Sequence, residues 1–377
     1  MKNTSLNLGD SKPHYDILDG FRGVAALFVL FYHIFEGHAN GSTVDQVINH
    51  GYLAVDFFFF LSGYVVSYAY DDRWGKMTVK DFFKRRLIRL QPMIIIGSIV
   101  GGLLFYFQHS PNMSWGGIAD TPIWLLMLVT LFGCALIPIL KGGLLEIRGW
   151  GEMYPLNGPA WSLFFEYAAN IIYGLFLRRV TKTVLSILVI VAAGFSIHYI
   201  ITNPSGDICG GWELSPHHLY VGFIRLAFPF LAGMLLAKIG KLRYTKNAFL
   251  IGGILLAVLF ATPRLGGHEH FWMNRIYESF CLFIMFPLIV WMGAGGKVTG
   301  KKATKLCKFL GDISYPLYIT HYPIVYTYMA WVANNEYTIK ESWSGALLVI
   351  ACAIPVAYFS MKLYDIPVRK WLRKRFL

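Results

Sequence analysis

The chain has 377 residues, of which 56% are hydrophobic and 15% are charged, with a formal net charge of +13 and a mean hydropathy of +0.50. A soluble domain of this length seldom combines so few charges with so many apolar runs of about 18 residues or more, so the composition indicates a polytopic membrane protein. The basic residues lie in short loops between the apolar runs, which is typical of cytoplasmic loops and does not indicate a nucleic-acid partner.

Eleven apolar runs follow one another along the chain. Five basic clusters, near 71–90, 178–182, 238–246, 297–308 and 369–375, predict the cytoplasmic side of the membrane. From the second cluster onward, two runs separate each cluster from the next, as alternating crossings require. The apolar runs cover residues 21–37, 51–70, 92–107, 122–140, 160–177, 184–202, 218–237, 247–262, 276–294, 309–333 and 343–362.

Three runs, however, lie between the first and second basic clusters, and an odd number of crossings cannot return the chain to the same side. We expect the segment 122–140 to be re-entrant or interfacial, because Pro122, Gly133 and Pro138 interrupt it and non-helical backbone at membrane depth needs cover from protein or a cavity. The sequence thus predicts an all-α polytopic membrane protein with about ten transmembrane helices. Both termini are expected in the cytoplasm, in a single transmembrane domain over residues 1–377 with no attached extracytoplasmic domain.

The first apolar run contains two ionisable residues, Arg22 and His33, eleven positions apart. A helix rises about 1.5 Å per residue, so His33 should lie roughly 16 Å deeper in the membrane than Arg22. An ionisable side chain at that depth costs free energy unless it faces protein or water, so it indicates a functional site. The alternative is a histidine that bonds a neighbouring helix for packing alone.

Three further ionisable residues fall at the predicted depth of His33. Counting about 1.5 Å per residue from the predicted membrane boundaries places Asp56, Glu166 and His321 at this level, each on a different helix. A histidine beside a carboxylate is the usual arrangement for general-base catalysis, because the carboxylate fixes the tautomer while the other nitrogen accepts a proton. We therefore expect His33, Asp56 and Glu166 to be catalytic, with either carboxylate as the partner of His33.

Arg86 and Arg89 lie at i and i+3, on one face of a helix, at the end of the bundle where Arg22 is also expected. Three guanidinium groups there are suited to bidentate phosphate binding, although charges that only set the topology are the alternative. Ser62 and Ser162 lie on apolar helices, where a hydroxyl usually bonds the i−4 carbonyl, and no G-x-S-x-G elbow occurs. These features favour direct transfer from a phosphorylated acyl donor to a hydroxyl over a seryl intermediate.

No metal site is expected from the sequence. The five cysteines are isolated, which argues against a disulfide framework or a thiolate site. The segments His217–His218 and His268–His270 supply only two or three ligands in polar regions, which is a weak metal-binding pattern. The first apolar run is too long for the hydrophobic region of a cleaved signal peptide.

Five segments together resemble the motifs of the acyltransferase-3 family of integral-membrane acyltransferases, which includes bacterial O-acetyltransferases of surface polysaccharides. Each motif is weak alone, but their order agrees over essentially the whole chain. The segments are Arg22 to His33, similar to an Arg-x10-His motif; Asp56 to Gly63, which contains Ser62; Arg86 to Arg89, matching R-x-x-R; Trp161 to Glu166, which contains Ser162 and matches W-S-L-x-x-E; and Ile313 to His321, which contains Tyr315.

The resemblance implies ten helices, a re-entrant segment and a place in the bacterial cytoplasmic (inner) membrane. It implies an acyl-CoA donor, usually acetyl-CoA, a glycan or lipid-linked glycan as acceptor, and His33 and Arg22 as the functional pair. The phosphates of the donor are expected at Arg22, Arg86 and Arg89. Further candidate site residues are His321, Ser62, Trp161, Ser162 and Tyr315.

Two alternatives remain. Within enzymes, the acceptor is a small molecule or a lipid instead of a glycan. From another class, a proton-coupled transporter also places acidic residues and a histidine at mid-depth, but such proteins often contain two related halves and no internal repeat is visible in this sequence. The acyl group, the exact acceptor, the oligomeric state and the occurrence of an acyl-enzyme intermediate are not predicted.

Overall fold

The computed structural model describes residues 15–39, 42–117, 120–240 and 242–377, and within these ranges it is helical and contains no strand. The predicted all-α membrane fold is therefore confirmed. Two π-helical turns, Cys281–Met285 and Ser360–Asp365, each join two successive α-helices. The α-helices are α1 (Asp16–Glu36), α2 (Ala54–Tyr70), α3 (Val79–Leu104), α4 (Ile123–Cys134), α5 (Ala160–Leu175), α6 (Lys182–Thr202), α7 (Pro216–Ile239), α8 (Ala248–Ala261), α9 (Phe271–Phe280), α10 (Phe286–Gly295), α11 (Lys301–Asn334), α12 (Ile339–Phe359) and α13 (Ile366–Phe376).

Seven helical stretches of the described chain are long and apolar enough to cross a membrane. They contain α1, α2, α3, α6, α7, the pair α9–α10 and the pair α12–α13. Three further helices bring this number to the predicted ten. They are α5 and α8, which have 16 and 14 residues, and α11, which has 34 residues and a more polar sequence. Helix α4 has 12 residues, so it extends about 18 Å, which is too short for a hydrocarbon core of about 30 Å. This short helix occupies the segment that we predicted not to span.

Helices α1 and α11 run parallel and contact each other along their length. Near their beginnings, Sγ of Cys307 donates a hydrogen bond to the Asp16 carbonyl oxygen at 3.1 Å. Near their ends, Gly37 lies against Met329. Because the two helices keep this register, residues of the first apolar run face the late motif on α11.

Helices α2 and α7 cross at a close contact made possible by two glycines. A Cβ atom at Gly63 would lie 2.0 Å from the carbonyl oxygen of Phe230, and one at Gly233 would lie 2.1 Å from that of Phe60. Small residues allow such backbone approach between membrane helices, where packing rather than the hydrophobic effect stabilises association. This contact fixes the position of Ser62, which precedes Gly63 on α2.

The basic clusters predicted to share one side of the membrane meet at one end of the bundle. The Arg178 guanidinium lies 4.2 Å from the centre of the Trp74 ring, Lys238 Nζ lies 3.1 Å from Asp71 Oδ2, and Lys84 Nζ donates to the carbonyl oxygen of Phe376 at 3.3 Å. We call this the basic end, and the other the opposite end. The opposite end carries the loops that follow α1, α4, α6 and α8.

Candidate active site

A cavity of about 310 Å³ opens at the basic end, and we call it the basic-end cavity. Helices α1, α2, α3, α5, α11 and the α12–α13 stretch all contribute to its wall. Four arginines line it, namely Arg22, Arg86, Arg89 and Arg369. Four carboxylates also line it, namely Asp19, Glu166, Asp312 and Asp365. The three arginines predicted for phosphate binding therefore share one cavity, joined by Arg369, which the motifs did not indicate.

Two of the three predicted arginines already have carboxylate partners. Arg22 lies 2.7 Å from Asp19, one turn earlier on α1, and Arg86 on α3 lies 2.7 Å from Glu166 on α5. Arg89 has no carboxylate partner among the described residues. The carboxylates hold Arg22 and Arg86 in fixed positions, and Arg89 keeps its full set of hydrogen-bond donors available.

The polar residues of the second-helix and W-S-L-x-x-E motifs meet in this cavity. The Ser62 hydroxyl donates to the same Glu166 oxygen that Arg86 contacts, at 3.1 Å. The Ser162 hydroxyl lies 2.7 Å from that of Tyr318 and also donates to the Pro159 carbonyl oxygen. Both serines therefore serve as hydrogen-bonding groups in the wall, and neither contacts a histidine.

Two other candidate residues of the motifs take part in helix packing. The Tyr315 hydroxyl lines the cavity and donates to the carbonyl oxygen of Leu90 at 2.7 Å, which joins α11 to α3. Trp161 is buried away from the cavity lining, with its ring 5.1 Å from the Arg225 guanidinium. The structure thus brings Tyr315 to the cavity and places Trp161 beside a buried cation.

His33 and His321, which the sequence placed only at the same depth, lie next to each other. Their rings are stacked with centroids 5.4 Å apart and planes 28° apart. Nδ1 of His321 lies 3.0 and 2.9 Å from the carbonyl oxygens of Leu317 and Tyr318, so we assign its proton to Nδ1. Nε2 of His321 then carries a lone pair, is buried, and has no hydrogen-bond partner among the described residues.

The carboxylate that contacts His33 is Glu36, one turn further along α1. Nδ1 of His33 lies 2.7 Å from Oε2 of Glu36, and the Tyr322 hydroxyl donates to the same oxygen at 3.1 Å. The His33 and Glu36 side chains are 16% and 20% exposed. Because Nδ1 faces the carboxylate, Nε2 of His33 remains free to bind another group.

The expectation that Asp56 or Glu166 contacts His33 is wrong. Asp56 accepts two hydrogen bonds from Arg225 on α7, at 3.2 and 2.7 Å, and the Asp56 and Arg225 side chains are 0% and 1% exposed. Glu166 lies with Arg86 in the basic-end cavity. The depth count failed for Glu166 because residues 151–160, taken as the outer boundary, are all buried, so α5 begins inside the bundle.

An aromatic pair separates the basic-end cavity from the histidines. Phe58 and Tyr318 both line the cavity, and their rings lie edge to face with centroids 5.3 Å apart. His321 follows Tyr318 by about one helical turn on α11, and neither histidine lines the cavity. The exposed part of His33 therefore lies outside the surface of the basic-end cavity.

A second polar network lies beyond the histidines, in the loop between α4 and α5. The Tyr326 hydroxyl donates to Oε2 of Glu152 at 2.5 Å, and the Arg148 guanidinium lies 3.6 Å from the centre of the Tyr326 ring. Burial raises the pKa of Glu152 to about 7, and the nearby Arg148 charge and the Tyr326 hydrogen bond lower it only in part. This network anchors the loop to α11 next to Tyr322, whose ring lies 4.3 Å from that of Tyr326.

The histidine-rich segments do not form a metal centre in the part of the chain that the structure describes, where no three metal-binding side chains group together. His268 lies 2.9 Å from Asp45, and this contact lowers the pKa of the Asp45 carboxyl. His218 Nδ1 accepts a hydrogen bond from the backbone N–H of Gly211 at 3.1 Å. Both segments have partners within the protein.

Comparison with known proteins agrees with the resemblance that the motifs indicated. A family model described as an acyltransferase domain matches residues 15–362. The chain belongs to the acyltransferase-3 family. The matched residues include all of the elements that form the cavity and the histidine pair, except the end of the second π-helical turn and the whole of α13.

Curated relatives of this family match nearly the whole chain at low identity. Peptidoglycan O-acetyltransferase OatA of Listeria monocytogenes is 24% identical over 96% of this chain and 56% of its own length. YrhL of Bacillus subtilis is 26% identical over 93% of this chain and 54% of its own length. Acyltransferase MdmB of Streptomyces mycarofaciens is 24% identical over 90% of this chain and 87% of its own length. The chain thus spans about half the length of OatA and YrhL. No solved structure matches it.

Proposed function

We propose that the protein is a membrane-embedded O-acyltransferase of the bacterial cytoplasmic membrane. It moves an acetyl group from cytoplasmic acyl-CoA to a hydroxyl of an extracytoplasmic or lipid-linked glycan. One observation carries the proposal: a cavity lined by arginines extends to Tyr318, one helical turn before His321, and the ring of His321 stacks on that of His33 in the histidine–carboxylate pair. Arg22 and His33, at the two ends of this arrangement, belong to the same helix.

The basic end supports the donor side of the proposal. The positive-inside distribution places this end in the cytoplasm, where acyl-CoA is made, and puts both termini there. Guanidinium groups bind phosphate through paired N–H donors, and Arg89 has donors available, with Arg22 and Arg86 held beside it. The flexible part of the donor that carries the acyl group then extends along α1 into the membrane, over the roughly 16 Å that separate the levels of Arg22 and His33.

The histidine pair supports the chemistry. With Nδ1–H of His33 directed at Glu36, Nε2 accepts the proton of the acceptor hydroxyl. The hydroxyl oxygen attacks the thioester carbonyl carbon, a C–O bond forms and the C–S bond breaks. The CoA sulfur leaves and receives the proton from the His33 imidazolium, so that the histidine returns to its neutral form. Glu36 stabilises the imidazolium between the two proton transfers.

The Phe58–Tyr318 pair gives the transfer a direction. The thioester reaches His33 from the basic-end cavity only when these two rings move apart. When they are together, they separate the donor space from the space to which His33 is exposed. The arrangement is suited to an enzyme that passes an acyl group across the membrane while CoA stays on its own side.

The relatives support the acyl-transfer reaction more directly than the acceptor. OatA is named for acetyl transfer to peptidoglycan, but this chain spans only part of it. MdmB is named an acyltransferase with no acceptor given, and it is matched over most of its length. A small-molecule or lipid acceptor is therefore kept as the second candidate. Family membership argues against the proton-coupled transporter.

The experiment that tests the proposed function is a comparison of glycans and lipids from a deletion strain and the wild type by mass spectrometry. We expect the deletion strain to lack an acyl group, of the mass of acetyl, on one glycan species. Complementation with the wild-type gene should restore it, and complementation with His33→Ala should not. Identical glycan profiles, with a lost acyl group on a small molecule or lipid, would favour the second candidate.

A further inference from the structure

Helix α13, at the end of the chain, forms part of the wall of the basic-end cavity. Met361, Asp365 and Arg369 line this cavity, although the sequence assigned the segment 369–375 only to topology. A π-helical turn, Ser360–Asp365, directs Met361 and Asp365 inward from a stretch that is otherwise mostly exposed. Such turns are rare and frequently occur at functional sites.

Several buried polar atoms around this cavity have no partner among the described residues. Asp365 is 2% exposed, and its Oδ2 binds Arg369 at 2.8 Å, but its Oδ1 accepts no hydrogen bond. Nε of Arg369 and Nε of Arg86 also lack partners. Buried polar groups in native proteins are nearly always hydrogen-bonded. Three unpaired groups on residues that line one cavity therefore indicate a wall that a ligand completes, with these closed-off atoms reached once their side chains turn toward the cavity.

The charges at the mouth of the cavity indicate that this ligand is an anion. Arg373 lies one turn beyond Arg369 on α13, and its charge is close enough to interact with those of Arg369, Arg89 and Arg85. Helix α13 itself carries no acidic residue. Of the carboxylates that line the cavity, three already pair with other arginines of its wall, namely Asp365 with Arg369, Glu166 with Arg86 and Asp19 with Arg22, so Arg89 and Arg373 keep uncompensated charges among the described residues. Like charges brought together by folding repel each other unless an anion lies between them.

We propose that Arg369 and Arg373 of α13, together with Arg89 of α3, bind the phosphate groups of the acyl donor. Asp365 holds the Arg369 guanidinium in position, and its free oxygen accepts a hydrogen bond from an N–H group of the donor. This inference rests on the proposed use of acyl-CoA. Phosphate is also the chemistry of lipid headgroups, but Asp365, Arg369 and Arg89 line the same cavity as Tyr318, which lies one helical turn before His321, and this favours the donor.

The test is calorimetric titration of CoA into the purified full-length protein in a neutral detergent. Losing a hydrogen bond between charged groups should weaken binding by about tenfold or more in Arg369→Gln, and Arg373→Gln should also bind CoA more weakly than wild type. Lys374→Gln is the matched control, since it removes one positive charge from the same helix at a position turned about 140° from Arg369, whereas Arg373 shares the face of Arg369. Its CoA affinity should equal that of the wild type.

In turnover, Arg369→Gln should raise the KM for acetyl-CoA and leave kcat nearly unchanged, and Arg369→Lys should recover only part of the affinity because it replaces the fork by a point charge. Equal CoA affinities in wild type and Arg369→Gln, or equal losses in Arg369→Gln and Lys374→Gln, would overturn the inference. If Arg369→Gln cannot be purified, the Arg373→Gln variant, at an exposed position, is used instead. An unchanged CoA affinity in Arg373→Gln would also overturn the inference.

A parallel titration with short-chain phosphatidylglycerol distinguishes the two sources of phosphate. An affinity for this lipid that falls in Arg369→Gln, with CoA affinity unchanged, would assign the arginines to lipid headgroups and contradict the inference. Failure of the proposed function gives a separate result, since wild-type protein would then bind no CoA at all. If wild type binds CoA, but with no higher affinity than Arg369→Gln, the result contradicts only the role of α13.

Discussion

Nδ1 of His33 lies 2.7 Å from Oε2 of Glu36, on the same face of the same helix and one turn apart. The Tyr322 hydroxyl on α11 donates to the same carboxylate oxygen. This geometry directs the second nitrogen of His33 away from the carboxylate. It gives the proposed base a fixed orientation from within α1, the helix that also carries Arg22.

We expect Glu36→Gln to lower turnover by roughly 10- to 100-fold, the equivalent of a hydrogen bond to a charged group, with unchanged affinity for CoA. The carboxylate acts on the imidazolium and lies beyond the Phe58–Tyr318 pair, away from the donor. Steady-state kinetics and calorimetry on one preparation would measure both quantities. Glu36→Asp should restore part of the activity, and a pH profile of kcat that is the same in wild type and Glu36→Gln would contradict the assignment.

Asp56→Asn should destabilise the protein by about 3–5 kcal/mol, because it leaves the Arg225 guanidinium buried without a compensating charge. The measurement is the thermal unfolding midpoint in detergent, together with the yield of membrane-inserted protein. The double variant Asp56→Leu with Arg225→Met removes both charges and should recover much of the loss. A normal midpoint combined with lost turnover in Asp56→Asn would instead support the catalytic role predicted from the sequence.

Protein stability should fall as the pH rises from about 5 to about 8, in part because of Glu152. Burial raises the pKa of Glu152 from 4.5 to about 7, so the folded state keeps a proton there that the unfolded state loses. The folded state is therefore favoured below the unfolded pKa, and this advantage is lost as the pH rises through the folded pKa. Thermal unfolding at a series of pH values would measure the slope. Glu152→Gln should reduce it, and an unchanged slope would contradict the assignment.

The sequence predicted the helices and the gathering of Arg22, Arg86 and Arg89 because both are encoded by local patterns. Apolar runs of sufficient length must be helical in a bilayer, and Arg86 and Arg89 share a helix face through their spacing. The sequence also placed His33 and His321 at one depth, but their contact depends on the parallel packing of α1 and α11, which the sequence did not predict. Depth along a helix is a reliable coordinate where the helix starts at the membrane boundary.

The partners of the acidic residues could not be predicted in this way. Glu166 was misplaced because the loop before α5 is buried, and this is a tertiary feature that no local pattern shows. The pairing of Asp56 with Arg225 depends on the α2–α7 contact, although a single arginine inside the apolar run 218–237 was a usable signal. The i, i+3 spacing of His33 and Glu36 was a second signal, which a comparison of depths between different helices does not use.

The topology can be tested with single cysteines in a variant whose native cysteines have been replaced. A cysteine at Asn335, after α11 at the opposite end, should react with an impermeant maleimide in intact cells. A cysteine at Lys301, at the beginning of α11 and the basic end, should react only after permeabilisation. The assignment of the donor and acceptor sides depends on this orientation. Labelling of position 301 in intact cells would contradict the orientation and therefore both assignments.

The most direct test of the account is acetyl transfer from labelled acetyl-CoA by purified protein in proteoliposomes, with wild type compared to His33→Ala. Loss of a general base lowers turnover by about 10²- to 10⁴-fold, and CoA binding should be retained because His33 does not line the basic-end cavity. His198→Ala, at an exposed position on α6, is the matched control and should transfer at the wild-type rate. The account predicts acetyl transfer by wild type and His198→Ala and its near-complete loss in His33→Ala. Activity of His33→Ala above half of wild type would contradict it.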